Sequence, residues 1–314
     1  MKKDLKMPLR LLPVKKKIIW GGSRLADEYG KGERGEKIAE SWELTCRADG
    51  DNVISGGEYD GMRLSEYFAS HPDAVGTKYA GGGFPLLIKL IDAEADLSIQ
   101  VHPDNEYAKA HTTDLGKTEM WYIVHAEPGA HIIYGMKEKY PRAAISKAIN
   151  DGTLEELMNY VPVKSGETYF IPSGTVHAIC RGILIAEIQQ NSNITYRVYD
   201  YNRRQPDGKL RQLHIEDALN VIERVDPENV KNTRGGDVIA SCEYFTVRKI
   251  SRKSERFCAD EGSFAHILTV KGCAEVKHGG ASYIMQKGEG LFIPAGLGQF
   301  ELCADGADVL VTTL

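Results

Sequence analysis

The sequence predicts a mainly β protein with two β-barrel (jelly-roll) domains and a small helical insertion. Three observations support this. Short apolar and β-branched runs alternate with Gly- and Pro-containing turns along most of the 314 residues. One twelve-residue pattern occurs twice, and helical spacing is confined to a few short stretches. Closed barrels suit such a chain because they leave no unpaired sheet edge.

The elements follow from local patterns along the chain. Apolar runs predict strands at 18–20, 84–92, 97–101, 118–124, 183–189 and 195–199, and strand-like segments fill the chain from 236 to 314. Glycines at 81–83 and at 235–236 mark breaks between these segments. Helical spacing of apolar residues predicts short helices at 62–71, 141–160 and 214–222. The polar segment 103–117 is predicted to be a long loop.

The repeated pattern suggests that the two barrels arose by duplication. Residues 166–177 read GETYFIPSGTVH, and residues 288–299 read GEGLFIPAGLGQ. The first copy ends on His177 and the second on Gln299. The second copy therefore lacks a histidine that could ligate a metal at this position.

Composition and charge exclude several classes of protein. A net charge of −5 argues against a nucleic-acid partner, which would require a concentrated basic face. The N-terminal segment, from Lys2 to Lys17, is basic but lacks a long apolar core, so we expect neither a signal peptide nor a membrane partner. Six widely spaced cysteines without a C-x-x-C motif are typical of thiols in a reducing compartment. We predict a cytoplasmic protein.

The first copy of the repeat has a fixed local geometry. Pro172 restricts φ and Gly174 permits positive φ, which predicts a tight turn that holds His177 in place. This Gly-x5-Pro-x-Gly-x2-His spacing resembles the second motif of the cupin family, although Arg181 replaces the usual Asn.

The resemblance, with the repeat, predicts how the chain divides into domains. We expect a catalytic cupin barrel from 1–138 and 161–235, a helical insertion at 139–160, and a cupin barrel without metal at 236–314.

Four residues form a candidate metal site. Gln100 and His102 are two positions apart, so on a strand both face the same side. Glu119 and His177 follow in cupin order. Two histidines, one carboxylate and one amide oxygen suit Zn²⁺ with an open coordination position. We expect one Zn²⁺ per chain.

Two cations accompany this set. Lys117 lies two residues before Glu119 and would share its side of a continuous strand, unless it sits at the loop end and reaches water. Arg197 lies on an aromatic strand, where its guanidinium could bind a sugar oxyanion or phosphate; the alternative is a salt bridge to Asp200. Both are candidate catalytic residues.

The chain resembles type I mannose-6-phosphate isomerases, in particular the short bacterial form. The motifs that carry this resemblance are IWGG (19–22), ESWE (40–43), FPLLIK (84–89), QVHPD (100–104), KTEMW (117–121), GTVHAI (174–179) and YRVYDY (196–201). The resemblance implies a zinc-dependent aldose–ketose isomerase that interconverts mannose 6-phosphate and fructose 6-phosphate. By position it also implies Gln100, His102, Glu119 and His177 as zinc ligands, with Lys117 and Arg197 in the active site.

Several alternatives remain open from the sequence. Isomerisation through a cis-enediol needs a base, and a zinc-bound water, a carboxylate or neutral Lys117 could serve. Another metal-dependent cupin enzyme, or a non-enzymatic bicupin that binds phosphosugars, would share many of these features. A small-molecule phosphosugar is the expected partner, and the protein is expected to be a monomer or a small homo-oligomer.

Overall fold

A computed structural model describes residues 6–79, 82–205, 207–222 and 236–314. The predicted breaks at Gly81 and Gly235 and the basic residues Lys2 and Lys3 lie outside these ranges.

The strands are β1 Leu9–Leu12, β2 Val14–Lys16, β3 Glu40–Leu44, β4 Cys46–Arg47, β5 Gly50–Asp51, β6 Val53–Ser55, β7 Leu86–Ala93, β8 Ile99–Val101, β9 Glu119–Ala126, β10 His131–Met136, β11 Met158–Pro162, β12 Thr168–Ile171, β13 His177–Ile179, β14 Ile183–Gln190, β15 Tyr196–Tyr199, β16 Val238–Ser241, β17 Thr246–Ile250, β18 Glu255–Ala259, β19 Ala265–Lys271, β20 Cys273–His278, β21 Ala281–Gln286, β22 Gly290–Ile293, β23 Gly298–Cys303 and β24 Asp308–Thr313. The helices are α1 Arg24–Tyr29, α2 Leu64–Ser70, α3 Asn105–His111, α4 Arg142–Asp151 and α5 Ile215–Ile222, with 3₁₀ turns at Pro72–Ala74 and Leu154–Leu157.

The first unit consists of two antiparallel sheets packed face to face. A six-stranded sheet has the order β12-β9-β14-β7-β3-β2, and a five-stranded sheet has the order β11-β10-β13-β8-β15. Apolar side chains from both sheets, among them Trp121, Ile132, Ile179 and Ile185, form one buried cluster between them. The cluster meets the candidate site at Trp121, whose ring centroid lies 5.3 Å from that of His177.

The second unit repeats this arrangement. A seven-stranded sheet, β16-β17-β24-β19-β22-β1-β6, packs on a four-stranded sheet, β18-β23-β20-β21. Buried residues such as Ile267, Val276 and Leu302 fill the space between them. The fold is therefore mostly β, as predicted.

Strands β1 and β6 modify the predicted division of the chain. Both lie in the segment assigned to the first barrel, yet β1 pairs with β22 and with β6 in the large sheet of the second unit. Leu9 and Ile54 on these strands are buried in the apolar layer that joins the two units. The first sixty residues thus contribute to both units, and the other predicted domain limits stay a prediction.

The two largest sheets pack against each other through their outer faces. Their contact is an apolar cluster that includes Phe84, Phe264 and Phe292, with ring centroids 5.3 Å apart for the Phe84–Phe264 and Phe264–Phe292 pairs. Burial of each such ring stabilises the fold by roughly 1.5–3 kcal/mol. Because the six-stranded sheet is covered on both faces, all eight residues of β7 and all eight of β14 are buried. The charged side chains on these strands, Lys89, Asp92 and Glu187, are likewise only 2–4% exposed.

Helices cover the outer face of the five-stranded sheet. Ile145 of α4, Leu219 of α5 and Tyr107 of α3 pack on Ile99 and Val198 of the sheet. The helices predicted at 62–71 and 214–222 are confirmed by α2 and α5. Within the predicted insertion, the helix is α4, but β11 begins at Met158.

The prediction of a long loop at 103–117 was wrong in its first half. Helix α3 spans Asn105–His111, and the side chain of Asp104 caps it by accepting a hydrogen bond of 2.8 Å from Tyr107 N. Such an N-cap satisfies one of the backbone donors that a helix start leaves free.

Among the described residues, no helix is long and apolar enough to span a bilayer.

Candidate metal centre and adjoining pocket

The turn between β12 and β13 places His177 as the sequence predicted. Gly174 has a φ of +84°, and its backbone N–H donates a 2.7 Å hydrogen bond to the carbonyl of His102. Nδ1 of His177 donates to the Thr175 carbonyl at 2.9 Å, because a carbonyl can only accept. Nε2 of the buried imidazole is therefore left with a free lone pair that faces the interior.

Strand register places three candidate residues in one row. In the five-stranded sheet, Gln100 lies opposite His177 on β13 and opposite Arg197 on β15. Residues paired in this way project from the same face of a sheet. The row His177–Gln100–Arg197 therefore lines the inner wall of the first unit.

A second row lies on the six-stranded sheet. Here Trp121, Glu187, Lys89 and Trp42 are neighbours on β9, β14, β7 and β3. Gln100 and Arg197 of the first row line the same cavity as Glu187, Lys89 and Trp42 of the second. This cavity, of about 320 Å³, lies between the two walls.

His102, Glu119 and His177 meet beside this cavity. Their nearest ligand atoms all lie within 4.8 Å of one another, and all three side chains are buried. Nε2 of His177 lies 3.4 Å from Glu119 Oε1, and Nε2 of His102 lies 3.7 Å from Glu119 Oε2. Gln100 joins them, since its amide nitrogen lies 3.4 Å from His177 Nε2 and a rotation of the amide by 180° brings its oxygen to that place. The structure thus brings all four predicted ligands together.

The electrostatics of the cluster fit a metal cation. Burial, with a contribution from Lys117, lowers the pKa of His177 to about 4, and burial lowers the pKa of His102 well below its ordinary value. Both imidazoles are therefore neutral at pH 7, the form that ligates metals. Burial and the neighbouring Glu187 raise the pKa of Glu119 to about 7. A carboxylate and two imidazole lone pairs that face one another favour a cation among them, and the donor set suits a divalent metal.

Lys117 lies inside the site and not at its edge. Its side chain is buried, with Nζ 2.5 Å from Glu119 Oε2 and 3.0 Å from His102 Nε2. The alternative in which this lysine reaches water is wrong. Lys117 therefore adds positive charge beside the candidate ligands. It also lines the cavity.

Sequence reasoning missed Glu187 and Lys89. Nζ of Lys89 lies 3.1 Å from Glu187 Oε1 and 3.6 Å from Glu40 Oε2, and the indole N–H of Trp121 donates to Glu187 Oε2 at 3.3 Å. Burial opposes ionisation of Glu187, but Lys117 and Lys89 lower its pKa to about 2. The available signal was one acidic and one basic residue, each in the middle of an apolar strand.

Arg197 points into the cavity without an anionic partner. Its Nε is buried and finds no hydrogen-bond partner in the described ranges. Asp200, the alternative partner, is instead bound by Arg211 through two hydrogen bonds of 2.8 Å and by Arg203. The salt-bridge interpretation of Arg197 is therefore wrong, and its guanidinium is available to an anion.

The corresponding position of the second unit differs. Gln299 is exposed on β23, and its backbone carbonyl accepts a 2.9 Å hydrogen bond from His278 Nδ1. Among the described residues, the only group of three or more His, Cys, Asp or Glu side chains with metal-site spacing is His102, Glu119 and His177. That the second unit binds no metal stays a prediction.

Comparison with known proteins supports the resemblance seen in the sequence. Residues 9–118 match the family model of the phosphomannose isomerase type I catalytic domain, and residues 237–312 match that of the mannose-6-phosphate isomerase cupin domain. The mannose-6-phosphate isomerase ManA of Bacillus subtilis (strain 168) is 39% identical over 304 residues, which cover 94% of this chain and 95% of that protein. The chain belongs to the type I phosphomannose isomerase family.

Two further relatives agree with this membership. The mannose-6-phosphate isomerase of Streptococcus mutans is 37% identical over 91% of this chain and 92% of its own. The crystal structure of the mannose 6-phosphate isomerase from Bacillus subtilis superposes with a TM-score of 0.88 at 34% identity, covering 98% of this chain and 99% of that one. The region that matches the catalytic-domain model contains Gln100, His102 and Lys117.

Metal titration tests the cluster directly. Calorimetric titration of the chelator-treated protein with Zn²⁺ should give about one tight site per chain, because the described residues contain one such set of candidate ligands. His177→Ala should abolish this site by removing a ligand. His131→Ala, a histidine on β10 outside the cluster, is the control and should retain it. Two tight sites, or unchanged binding in His177→Ala, would contradict the assignment.

Proposed function

We propose that this chain interconverts mannose 6-phosphate and fructose 6-phosphate with one Zn²⁺ held by Gln100, His102, Glu119 and His177. The observation that carries the proposal is a buried His–Glu–His cluster that adjoins a cavity lined by cations. The names of the relatives, all mannose-6-phosphate isomerases, support the same activity.

The donor set favours zinc as the metal. Two neutral imidazoles, a carboxylate and an amide oxygen form a mixed nitrogen and oxygen set of the kind that Zn²⁺ accepts in catalytic sites. Zinc, when bound, supplies a Lewis acid that polarises adjacent sugar oxygens. Lys117, 2.5 Å from Glu119, keeps that ligand oriented and adds positive charge beside the reacting carbons.

Glu187 is the carboxylate best placed to carry the proton between C1 and C2 through a cis-enediol. It lines the cavity, and its low pKa, caused by Lys117 and Lys89 against the effect of burial, keeps it ionised at pH 7. Lys89 and Trp121 fix its orientation, so that it meets the substrate in one geometry. Arg197 faces the same cavity and stabilises the oxygen on which negative charge develops.

The phosphate is proposed to lie at the other end of the cavity. Arg211 and Lys16 line the cavity together with Asn193 and Thr195, and these two cations are the proposed phosphate contacts. The hydrogen bonds between Arg211 and Asp200 hold the guanidinium in place before substrate arrives. Binding energy from a phosphate on C6, far from the reacting carbons, can orient the sugar for proton transfer.

A cytoplasmic location and a monomer or small homo-oligomer remain predictions from the sequence.

Activity of the zinc-loaded protein tests the proposal. In a coupled assay it should convert mannose 6-phosphate to fructose 6-phosphate, lose the activity to a chelator and regain it with Zn²⁺. Unphosphorylated mannose should react much more slowly, because it lacks the remote phosphate contacts. Binding of phosphosugars without turnover would refute the isomerase and favour the binding-protein alternative. Oxygen consumption would favour another cupin enzyme.

Arg197 and Arg211 should differ in their kinetic effects. Arg197→Ala should lower kcat by about 10²–10³, as expected for loss of a group that stabilises developing charge. Arg197→Lys should recover part of this rate, since it keeps the charge but loses the planar fork. Arg211→Ala should mainly raise KM for mannose 6-phosphate, with kcat much less affected. Loss of zinc or of folding in Arg197→Ala would instead indicate a structural role.

A further inference from the structure

A bidentate ion pair between Arg47 and Asp114 lies at the end of the first unit that carries the candidate site. Arg47 is on β4, and its Nη1 and Nη2 donate to Asp114 Oδ1 and Oδ2 at 3.1 and 2.9 Å. Only 16% of the Arg47 side chain and 22% of the Asp114 side chain are exposed. Exposed ion pairs contribute little, but a bidentate and largely buried pair is geometrically specific.

The pair holds two loops together. One loop, residues 112–118, contains both Asp114 and Lys117. The other loop, residues 191–195, is followed by Arg197 on β15. Besides Arg47, the Asp114 carboxylate accepts hydrogen bonds of 3.1 Å from Leu115 N in its own loop and from Asn193 N in the second loop. Each carboxylate oxygen thus accepts two donors.

Arg47 bonds to the second loop as well. Its Nη1 donates to the Asn191 carbonyl at 3.0 Å, and its Nε donates to Asp49 at 2.9 Å. The other carboxylate oxygen of Asp49 accepts from the Asn193 side chain at 2.9 Å. The Arg47–Asp114 clamp, defined as these two side chains, therefore ties the β4–β5 hairpin to both loops.

The two loops carry residues of the cavity wall. Lys117 at the end of the first loop and Asn193 and Thr195 in the second all line the cavity, and Arg197 follows two residues later. The loops also contact each other, since Ser192 Oγ donates to the Leu115 carbonyl at 2.7 Å. The metal ligands, by contrast, lie on β8, β9 and β13 or directly after β8. Loss of the clamp would consequently shift the cations of the cavity, while Gln100, His102 and His177 stay in place on or next to β8 and β13.

We infer that Arg47 is a positioning residue: through Asp114 it sets the distance between Lys117 and Arg197 across the substrate cavity. This inference rests on the proposed isomerase function for its kinetic consequence. A displacement of about 1 Å in a catalytic group can cost about 10²-fold in rate. The clamp therefore contributes to turnover although it touches neither substrate nor metal.

Variants of the clamp test the inference. Arg47→Met should lower kcat/KM about 10- to 100-fold with unchanged zinc content, because loop geometry is lost and the metal ligands are not. Arg47→Lys should fall between this variant and the wild type, since it keeps charge without the fork. Asp114→Asn should resemble Arg47→Met, and the double variant should lose less than the two single losses combined, because the two side chains share one contact.

Arg248→Met is the matched control. Arg248 on β17 of the second unit also pairs with a carboxylate, Glu255, at 2.7 Å, but lies in a sheet that does not line the cavity. It should lose stability while kcat/KM stays within twofold of the wild type. Arg47→Met with kcat/KM equally close to the wild type would overturn the inference.

Hydrogen exchange provides a readout that does not depend on activity. In Arg47→Met, backbone amides in 112–118 and 191–195 should exchange several-fold faster, while those of β8 and β13 should not change. Exchange in the two loops that equals that of Arg248→Met would overturn the clamp. If the wild-type protein fails to turn over mannose 6-phosphate, the proposed function fails, and exchange alone decides whether the clamp holds the loops.

Discussion

The Glu119 carboxylate has no access to water and faces the neutral nitrogens of two histidines at 3.4 and 3.7 Å. Such an arrangement of acceptors is unfavourable unless a cation lies among them. The local structure supplies both the acceptors and their isolation from solvent. The turn at Gly174 directs His177 inward, the pairing of β8 with β13 sets Gln100 beside it, and the apolar cluster between the sheets excludes water. Lys117 contributes part of the required charge, and the cluster could hold a divalent metal that supplies the rest.

The second unit influences the site without contributing a ligand to it. Its large sheet covers the outer face of the six-stranded sheet, so that β7 and β14 are buried on both sides. Lys89 and Glu187 lie on these two strands but project from the opposite, inner face into the cavity, where they pair with each other. Lys117 and Lys89 lower the pKa of Glu187 against the opposing effect of burial. The second unit thus supports the sheet that carries part of the site.

Much of the site could be predicted because it depends on short sequence distances. The Gln-x-His spacing, the Pro-x-Gly turn before His177 and the position of Lys117 near Glu119 each fix a side chain within a few residues. The row Trp121–Glu187–Lys89–Trp42 could not be predicted, since it depends on the register of four strands that are distant in sequence. The clamp has the same character: Arg47 reaches Asp114 and Asn191 across 67 and 144 residues. Strands β1 and β6 were assigned to the first barrel because chain order alone does not show which sheet a strand joins.

Anomalous diffraction from crystals of the zinc-loaded protein, measured at the zinc absorption edge, tests the central claim most directly. If zinc binds at the proposed site, we expect one strong peak per chain, about 2.0–2.2 Å from His102 Nε2, His177 Nε2, a Glu119 oxygen and the Gln100 amide oxygen. The same map should place Lys117 and Glu187 beside the peak but outside bonding distance. A peak at another position, or imidazoles turned away from Glu119 with no peak between them, would contradict the account.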